Sequence, residues 1–188
     1  MSEEQIVHQI RELAGELSMS GRYDLLLSAI GNASLQRLNI EAAKATLSPL
    51  VITKDYRFLL PDYNAEVDIE PIHKAVYIFY LRHTEGIITK HMVDYRDEII
   101  ELYKDVGNRI SARKVSESID RLVNPLDNSL NEKCARIKSA FSMLMDKNQL
   151  HYYIISNYTK RHIDGFNKVW FERKKSIAFP RHLVIYEK

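Results

Sequence analysis

The chain has 188 residues, 45% of them hydrophobic, which is enough for a folded core and too many for a disordered chain. Its net charge at pH 7 is only +2, so the total charge neither indicates nor excludes a polyanionic partner. A single cysteine can form no disulfide within the chain, which favours a reducing, cytoplasmic location. We find no signal-peptide pattern, and the longest uncharged apolar run, residues 75–81, is far too short to span a membrane.

The charge is unevenly distributed along the chain. Residues 1–70 contain 6 Lys and Arg against 11 Asp and Glu, residues 71–130 contain 9 of each kind, and residues 131–188 contain 12 against 5. The C-terminal part is therefore strongly basic, which is typical of a protein that binds nucleic acid through one end. A basic surface that contacts only solvent is the alternative interpretation.

The first 47 residues predict three short helices. Ser2 and Gln5 have the spacing of a capping box at the start of the first helix, and Gly21 and Gly31 separate the three. Apolar residues recur at helical spacing along the first helix, at Ile6, Ile10, Leu13 and Leu17. The segment is too short for a doubly wound α/β domain. We predict that residues 1–47 form a separate helical segment that serves for dimerisation or as a cap.

Residues 48–188 predict a second domain that begins with strands. Pro49 ends the helices, and three short β-rich runs follow. These runs are residues 50–53, 56–60 and 66–69. Their lengths and the tight turn between the first two predict a small antiparallel meander.

Two amphipathic helices follow the meander. Pro71 is well placed at the first position of one helix, and Gly86 ends it ahead of a short strand, Ile87-Ile88. Thr89 is the predicted N-cap of the next helix. Apolar residues recur along that helix at Met92, Tyr95, Ile99, Tyr103 and Val106.

A third helix follows a polar connector. The connector covers residues 109–128 and holds a short helix at 116–123. Ser129 and Glu132 then have capping-box spacing. One face of the helix that they start is apolar, with Leu130, Cys134, Ile137, Phe141 and Leu144. We interpret Cys134 as a core residue rather than a nucleophile.

The C-terminal part predicts a long basic hairpin. Residues 151–155 are the first predicted strand and residues 175–179 the second, since both are rich in aromatic and β-branched side chains. Between them lie the basic residues Lys160, Arg161, His162, Lys168, Arg173 and Lys174. We expect Phe171 and Phe179 to form the hairpin's own core.

This order of elements resembles the C-terminal winged-helix effector domain of two-component response regulators. Residues 78–86 (IFYLRHTEG) are similar to that family's first helix, and residues 129–138 (SLNEKCARIK) are similar to its recognition helix. The resemblance covers residues 49–180 and implies an α+β, helix-rich fold. The implied fold is a winged helix-turn-helix with a small antiparallel strand meander and a long C-terminal hairpin wing, preceded by the N-terminal helical segment. The chain departs from the family in its longer connector, in an insertion within the wing and in having no receiver domain, so phosphorylation control is not implied.

The resemblance implies a transcriptional regulator that binds double-stranded DNA. The third helix would read base edges, where Asn pairs with adenine and Arg or Lys with guanine, while the hairpin would follow phosphates or enter the minor groove. The predicted DNA-binding residues are Asn131, Lys133, Arg136, Lys138 and Ser142 on the helix and Lys160, Arg161, Arg173, Lys174 and Lys175 on the hairpin. Glu132, in the first turn, opposes phosphate binding.

A second hypothesis makes the winged helix a protein-interaction module, such as an adaptor or an immunity-type partner. Aromatic side chains interleave with the charges of the hairpin, and Trp170 is the predicted anchor for a protein partner. The same mixture of aromatic and basic residues also binds single strands by stacking. An amphipathic helix that only contacts solvent remains the alternative for the third helix.

Enzymatic chemistry has little support in the sequence. The seven histidines show no metal-ligand spacing, and we find no Gly-rich phosphate loop and no nucleophile elbow. We therefore predict no catalytic residue, no metal site and no cofactor. We also expect a homodimer formed through the N-terminal helices and no membrane partner.

Overall fold

The computed structural model describes residues 1–107, 110–163, 165 and 169–187, and for residues 160, 161, 163 and 170 it describes the backbone alone. The chain divides into two compact units, Met1–Ala45 and Thr46–Lys188. Helices dominate, and the strands form small sheets, so the predicted α+β class is confirmed. Among the described residues, no helix combines the length and the apolar character needed to cross a bilayer.

The first unit consists of three helices, which are α1 (Glu3–Met19), α2 (Tyr23–Ile30) and α3 (Asn32–Ala43). The predicted capping box forms, because the Gln5 N–H donates to the Ser2 hydroxyl and the Ser2 N–H donates to the Gln5 side chain. Gly21 and Gly31 have positive φ and separate the three helices, as the sequence predicts. All three helices are fully described, and none of their residues is buried.

The second unit begins with the predicted meander. β1 (Leu50–Ile52) pairs antiparallel with β2 (Phe58–Leu60), which pairs antiparallel with β3 (Ala65–Glu66). β3 is shorter than predicted, and the apolar side chains of Val67 and Ile69 are buried beyond its end. The meander is therefore confirmed, with a shorter last strand.

Five helices of the described chain pack in the second unit. They are α4 (Pro71–Arg82), α5 (Arg96–Gly107), α6 (Ala112–Val123), α7 (Ser129–Ser142) and α8 (Lys147–Tyr153). α4 begins at Pro71 as predicted and is buried along most of its length, because apolar residues occupy nearly all its sides. It contacts α5 and α7, and α6 contacts the same two helices.

One prediction at the start of α5 is wrong. Thr89 does not cap α5, because Thr89–Tyr95 forms a 3-10 segment that leads into it. The short helix predicted at residues 116–123 of the connector is confirmed as α6, which starts four residues earlier than predicted. It buries Val115, Ile119, Leu122 and Val123, so part of the connector belongs to the core.

The predicted capping box at the start of α7 does not form. Ser129 is the first helical residue, its side chain is buried, and its N–H donates to the Asp127 carboxylate at 2.8 Å. Asp127, rather than Ser129, therefore supplies the side-chain acceptor at this helix start. The apolar face of α7 is confirmed, with Leu130, Cys134, Ile137 and Phe141 buried.

The predicted strand at residues 151–155 is wrong for its first three residues, which end α8. Asp146 caps α8 by accepting two backbone N–H groups of its first turn, at 2.7 and 3.2 Å. Leu150 and Tyr153 are buried at helical spacing. The cap and this burial outweigh the β propensity of the aromatic run.

A second sheet joins the hairpin to α4. β4 (Ile87–Ile88) follows α4, while β5 (Ile155–Ile163) and β6 (Val169–Ile177) form a long antiparallel hairpin. β4 pairs antiparallel with β6, which gives the strand order β4-β6-β5. The predicted short strand is confirmed. The predicted hairpin is confirmed with different strand bounds, because most of β5 and β6 comes from residues that were predicted to lie between the strands, and residues 178–179 lie outside β6.

Gly86 allows β4 to approach β6 closely. Its φ is +71°, and a Cβ built on it would lie 2.6 Å from the carbonyl oxygen of Lys175. Only glycine tolerates both the conformation and the contact. Gly86 does not end α4 itself, which stops at Arg82, but it makes the turn that starts β4.

A last strand, which the sequence did not predict, closes the first sheet. β7 (Val184–Tyr186) pairs parallel with β1, with Leu50 opposite Val184, and the sheet order is β3-β2-β1-β7. Before β7, Phe179 packs against Tyr153 with ring centroids 4.5 Å apart. Phe179 is buried, but it lies beyond the end of β6 and packs against α8 rather than within the hairpin's own core.

Candidate nucleic-acid interface

α7 turns its polar side to solvent because its apolar stripe is buried. The five predicted DNA-binding residues of this helix lie on two flanks of that side, with Lys133 and Arg136 on one flank and Asn131, Lys138 and Ser142 on the other. Lys133 is half-buried and the other four are exposed. Both flanks have the polar character that base edges and phosphates require.

The cations of α7 differ from those of the neighbouring helices. Arg96 on α5 lies 2.7 Å from Asp120, and Arg121 on α6 lies 3.1 Å from Asp127. Within the described part of the chain, Arg136 and Lys138 have no carboxylate within 4 Å. Their charge is therefore not neutralised by a close ion pair.

Two residues of the same helix are unfavourable for DNA binding. Glu132 is exposed in the first turn, where it would repel a phosphate. Asn131 donates from Nδ2 to the Asn128 side-chain oxygen at 3.0 Å, a hydrogen bond that adenine recognition would replace. Both features would oppose the predicted DNA binding, and neither of them covers the helix.

On the hairpin, the structure separates the predicted cations by burial. Arg173 is exposed and lies opposite Thr159, while Lys174 is half-buried opposite Tyr158. Lys175 is only 4% exposed, and its Nζ donates to the Asn157 side-chain oxygen at 2.7 Å. Lys175 is therefore not accessible to a phosphate and does not belong to the interface.

Strand alternation could have revealed the position of Lys175. Residues 175 and 177 lie on the same side of β6, and Ile177 is buried. Ile87, which lies opposite Lys175 on β4, is buried as well. The burial of Lys175 was missed because the positively charged residues of the hairpin were counted without assigning each of them to a face of its strand.

The remaining predicted hairpin residues have only their backbones described. In β5, Lys160 lies opposite Glu172 and Arg161 lies opposite Phe171. In β6, Trp170 lies opposite His162. Their side chains lie outside the described part of the structure, as does Lys168 altogether. Their roles in binding DNA or a protein partner stay predictions.

The expectation that Phe171 packs within the hairpin's own core is wrong. Its side chain is 62% exposed, because β5 and β6 extend well beyond their buried base at Ile155 and Ile177. Phe171 lines a cavity of about 340 Å³ together with Ile88 and Pro125. The structure therefore places an exposed aromatic side chain beside the basic Arg173.

An open cleft beside α7 was not anticipated from the sequence. It has a volume of about 690 Å³ and lies between the segment that precedes α4 and the polar side of α7. Asp68 and Glu70 line it from the first side, and Lys133 and Arg136 line it from the second. The cleft therefore includes two of the predicted DNA-binding residues.

His73 in the first turn of α4 also lines this cleft. It is 5% exposed, and neither ring nitrogen has a hydrogen-bond partner within the described chain. The nearest carboxylate oxygen, on Glu70, is 3.8 Å from Nδ1. Burial, and then the positive charge of Lys133, lower the pKa of His73, so the ring is neutral near pH 7. The sequence signal of this burial is the place of His73 in a helix that is apolar along most of its length.

Cys134 is a core residue, as predicted. It is buried in the apolar face of α7, and burial raises the pKa of its thiol to about 11. It therefore remains protonated and unreactive at neutral pH. Over the residues that the structure describes, no group of three or more His, Cys, Asp or Glu side chains is placed to hold a metal ion.

Comparison with known proteins gives no assignment. No protein-family model, no curated protein and no solved structure matches this chain. A function therefore has to rest on the chain's own geometry and charges. The exposed side of α7, the hairpin and the cleft are the features from which it can be argued.

Proposed function

We propose that this protein is a winged helix-turn-helix protein that binds double-stranded DNA and regulates transcription. The observation that carries the proposal is the pairing of β4 with β6. The short strand after α4 joins the second strand of the hairpin, while α7 packs against both α4 and β5. A winged helix uses this arrangement to hold a recognition helix beside a hairpin wing.

The chemistry of α7 supports this role. A recognition helix has to bury one side and present polar groups on the other, and α7 does both. Arg136 and Lys138 can pair with guanine edges or phosphates, and Asn131 can pair with adenine. Arg173 and Lys174 on the hairpin would contact the phosphate backbone.

The proposal predicts a definite salt dependence. Five of the predicted cations have described side chains that are not buried, namely Lys133, Arg136, Lys138, Arg173 and Lys174. If each of these five neutralises one phosphate, the logarithm of the association constant falls with the logarithm of salt concentration with a slope of about −4.5. Phosphate contacts by Lys160 and Arg161, which stay predictions, would make the slope steeper. A surface that binds no DNA has no such slope.

The experiment is fluorescence anisotropy with random-sequence duplex DNA, titrated at a series of salt concentrations. Replacing Arg136 and Lys138 together by Ala should weaken binding and reduce the slope by about 2 units. Replacing Lys54 and Lys104 together by Ala is the matched control, because it removes two exposed charges from outside α7 and the hairpin.

A second double variant tests the hairpin, with Arg173 and Lys174 both changed to Glu. Charge reversal should weaken binding more than the α7 variant, because it adds repulsion to the loss of attraction. If both double variants bind duplex DNA as tightly as the original chain, the proposal fails.

Protein binding is the second candidate function, and exposed Phe171 is the observation that favours it. Leu126, which follows the Pro125 of the same cavity, is 94% exposed. Large exposed apolar side chains of this kind anchor protein interfaces.

Under the protein-binding hypothesis the chain has little affinity for DNA at low salt. A co-purified partner would be lost with Phe171→Ser and retained with Ile185→Ser, which alters a comparably exposed apolar residue.

A further inference from the structure

The cleft between the α4 start and α7 has the dimensions of a small-molecule site. Its volume of about 690 Å³ falls within the usual range of ligand pockets, about 300–1,000 Å³. Part of its lining is apolar, since Ile69, Ala140 and Met143 all contribute to it. Ile69 and Ala140 are buried, whereas Met143 is largely exposed and can cover a ligand.

The two sides of the cleft carry opposite charges that do not neutralise each other. Asp68 and Glu70 lie on the α4 side, and Lys133 and Arg136 lie on the α7 side, where Glu132 adds one negative charge. Within the described residues, no carboxylate oxygen lies within 4 Å of the Lys133 or Arg136 nitrogens. The opposing charges therefore face each other across open space.

This charge pattern selects among ligand types. A simple anion would meet the carboxylates of Asp68 and Glu70, and a simple cation would meet Lys133 and Arg136. A ligand that carries both charges, separated by a few bonds, can pair with each side at once. The apolar lining leaves room for a side chain of the ligand.

His73 provides an independent reason to expect a ligand. Its two ring nitrogens are buried without partners among the described residues, which is unfavourable for the unliganded protein. A neutral imidazole has one donor and one acceptor nitrogen. A carboxylate that enters the cleft could accept from the donor once neighbouring side chains move apart.

We propose that this cleft binds a small zwitterion of the amino-acid type. Its carboxylate lies between Lys133 and Arg136, its ammonium group pairs with Asp68 and Glu70, and its side chain contacts the apolar lining. His73 supplies a further hydrogen bond to the ligand. The proposal goes beyond DNA binding and does not depend on it.

The test is titration calorimetry of the full chain with each standard amino acid. For the best ligand, two derivatives separate the charges, because the methyl ester lacks the carboxylate and the N-acetyl form lacks the ammonium group. We expect each derivative to bind at least about tenfold more weakly than the parent amino acid. The absence of binding by every amino acid at about 10 mM, or equal binding by either derivative, overturns the proposal.

Variants of the chain test the assignment of each side of the cleft. Arg136→Gln and Asp68→Asn should each weaken binding at least about tenfold, whereas Lys138→Gln, a cation of α7 outside the cleft, should leave it unchanged. His73→Leu should weaken binding and yet raise the thermal midpoint, because it removes the buried unpaired nitrogens. Unchanged ligand affinity in Arg136→Gln and Asp68→Asn would refute the site.

The same variants distinguish this proposal from DNA binding. Asp68→Asn alters the cleft without touching a predicted DNA contact, and Lys138→Gln alters a predicted DNA contact without touching the cleft. Each proposal can therefore fail while the other stands.

Discussion

Asn157 and Lys175 lie directly opposite each other at the base of the hairpin, and the Lys175 Nζ donates to the Asn157 side-chain oxygen at 2.7 Å. The lysine is buried between Ile177 along its own strand and Ile87 across from it. The buried side chain of Lys175 and its hydrogen bond to Asn157 contribute to the packing of the three-stranded sheet. Its neighbour Arg173, one step outward on the same side of β6, is exposed.

Lys175→Ala should therefore change mainly the stability of the protein, and Arg173→Ala should change mainly its binding to DNA. Lys175→Ala removes a buried hydrogen-bonded side chain and should lower the free energy of unfolding by about 1–3 kcal/mol. It should leave the salt slope of DNA binding unchanged. Arg173→Ala should change stability by less than about 0.5 kcal/mol and reduce the salt slope by about 1 unit. Chemical denaturation and anisotropy measure the two quantities, and a reduced slope in Lys175→Ala would contradict its assigned burial.

Gly86→Ala should destabilise the second unit by more than about 1 kcal/mol. The added Cβ requires an unfavourable positive φ and collides with the Lys175 carbonyl oxygen. Gly15→Ala is the matched control, since Gly15 lies inside α1 with nothing within 4 Å of its added Cβ. It should stabilise α1 by about 0.5–1 kcal/mol. Equal effects of the two substitutions on urea unfolding would show that β4 does not need its close approach to β6.

His73 should make the stability of the protein decrease at acidic pH. Because its pKa is lower in the folded chain than its ordinary value of 6.5, the unfolded chain binds a proton more readily. Above pH 6.5 the ring is mostly neutral in both the folded and the unfolded chain, and its titration does not reduce the free energy of unfolding. As the pH falls below 6.5, protonation of the unfolded chain reduces the free energy of unfolding, by at most about 1.4 kcal/mol per pH unit.

His73→Leu isolates this contribution by difference. The stability gap between the variant and the original chain should widen as the pH falls from 7 to 5, in urea unfolding followed at several pH values. The groups that surround the ring, Glu70, Lys133 and Arg136, are the same in both proteins. A constant gap for His73→Leu would show that the ring does not titrate abnormally.

Asp146→Ala should destabilise the second unit by about 1 kcal/mol, within a range of 0.5–2. Its carboxylate accepts two backbone N–H groups at the start of α8, and no other side-chain cap is recorded there among the described residues. Asn128→Ala at the start of α7 is the comparison, because the Asn128 side chain makes no cap hydrogen bond. Thermal unfolding should show the smaller effect for Asn128→Ala.

The N-terminal helices should associate through their exposed apolar side chains. Ile10 is 61% exposed on α1 and Leu13 is 53% exposed, and no residue of α1 is buried. We expect sedimentation analysis to find a homodimer that Ile10→Asp converts to monomer. Gln9→Asp, at a neighbouring exposed position, should leave the dimer intact. A monomer at all accessible concentrations of the original chain would contradict the expectation.

The elements that sequence patterns predicted well are those with strong local signals. The Ser2–Gln5 capping box, the proline at the start of α4 and the glycine breaks between the first helices all form as expected. Each depends on backbone chemistry within a few residues. The hairpin was also foreseen, because its strands are adjacent in the chain.

The errors arise where tertiary contacts outweigh local preference. The aromatic run that ends α8 favours a strand, yet Tyr153 becomes helical because the core accepts its ring beside Phe179 and Asp146 caps the turn. The first turn of α6 was missed, because Arg113 and Lys114 make it polar. β7 has no local signal strong enough to identify its partner, since its pairing with β1 is entirely long-range.

In the candidate site, the sequence showed which residues carry charge, but it did not show which side chains are buried. Arg136 and Lys138 could be placed on the outer side of α7 by helical spacing alone. The burial of Lys175, the exposure of Phe171 and the cleft beside His73 depend on how far the hairpin projects and how α4 meets α7. These distances are set by packing between elements far apart in the sequence.

The parallel pairing of β1 with β7 has a consequence for synthesis on the ribosome. β1 is the first strand of the second unit to be made, and the strand that covers its edge is the last. Until β7 emerges, the backbone N–H and C=O groups of Leu50–Ile52 on that side remain unpaired and able to join a strand from another nascent chain. Completion of this sheet is therefore delayed until nearly all of the unit has been translated, and chains interrupted before Val184 would be the ones most prone to aggregate.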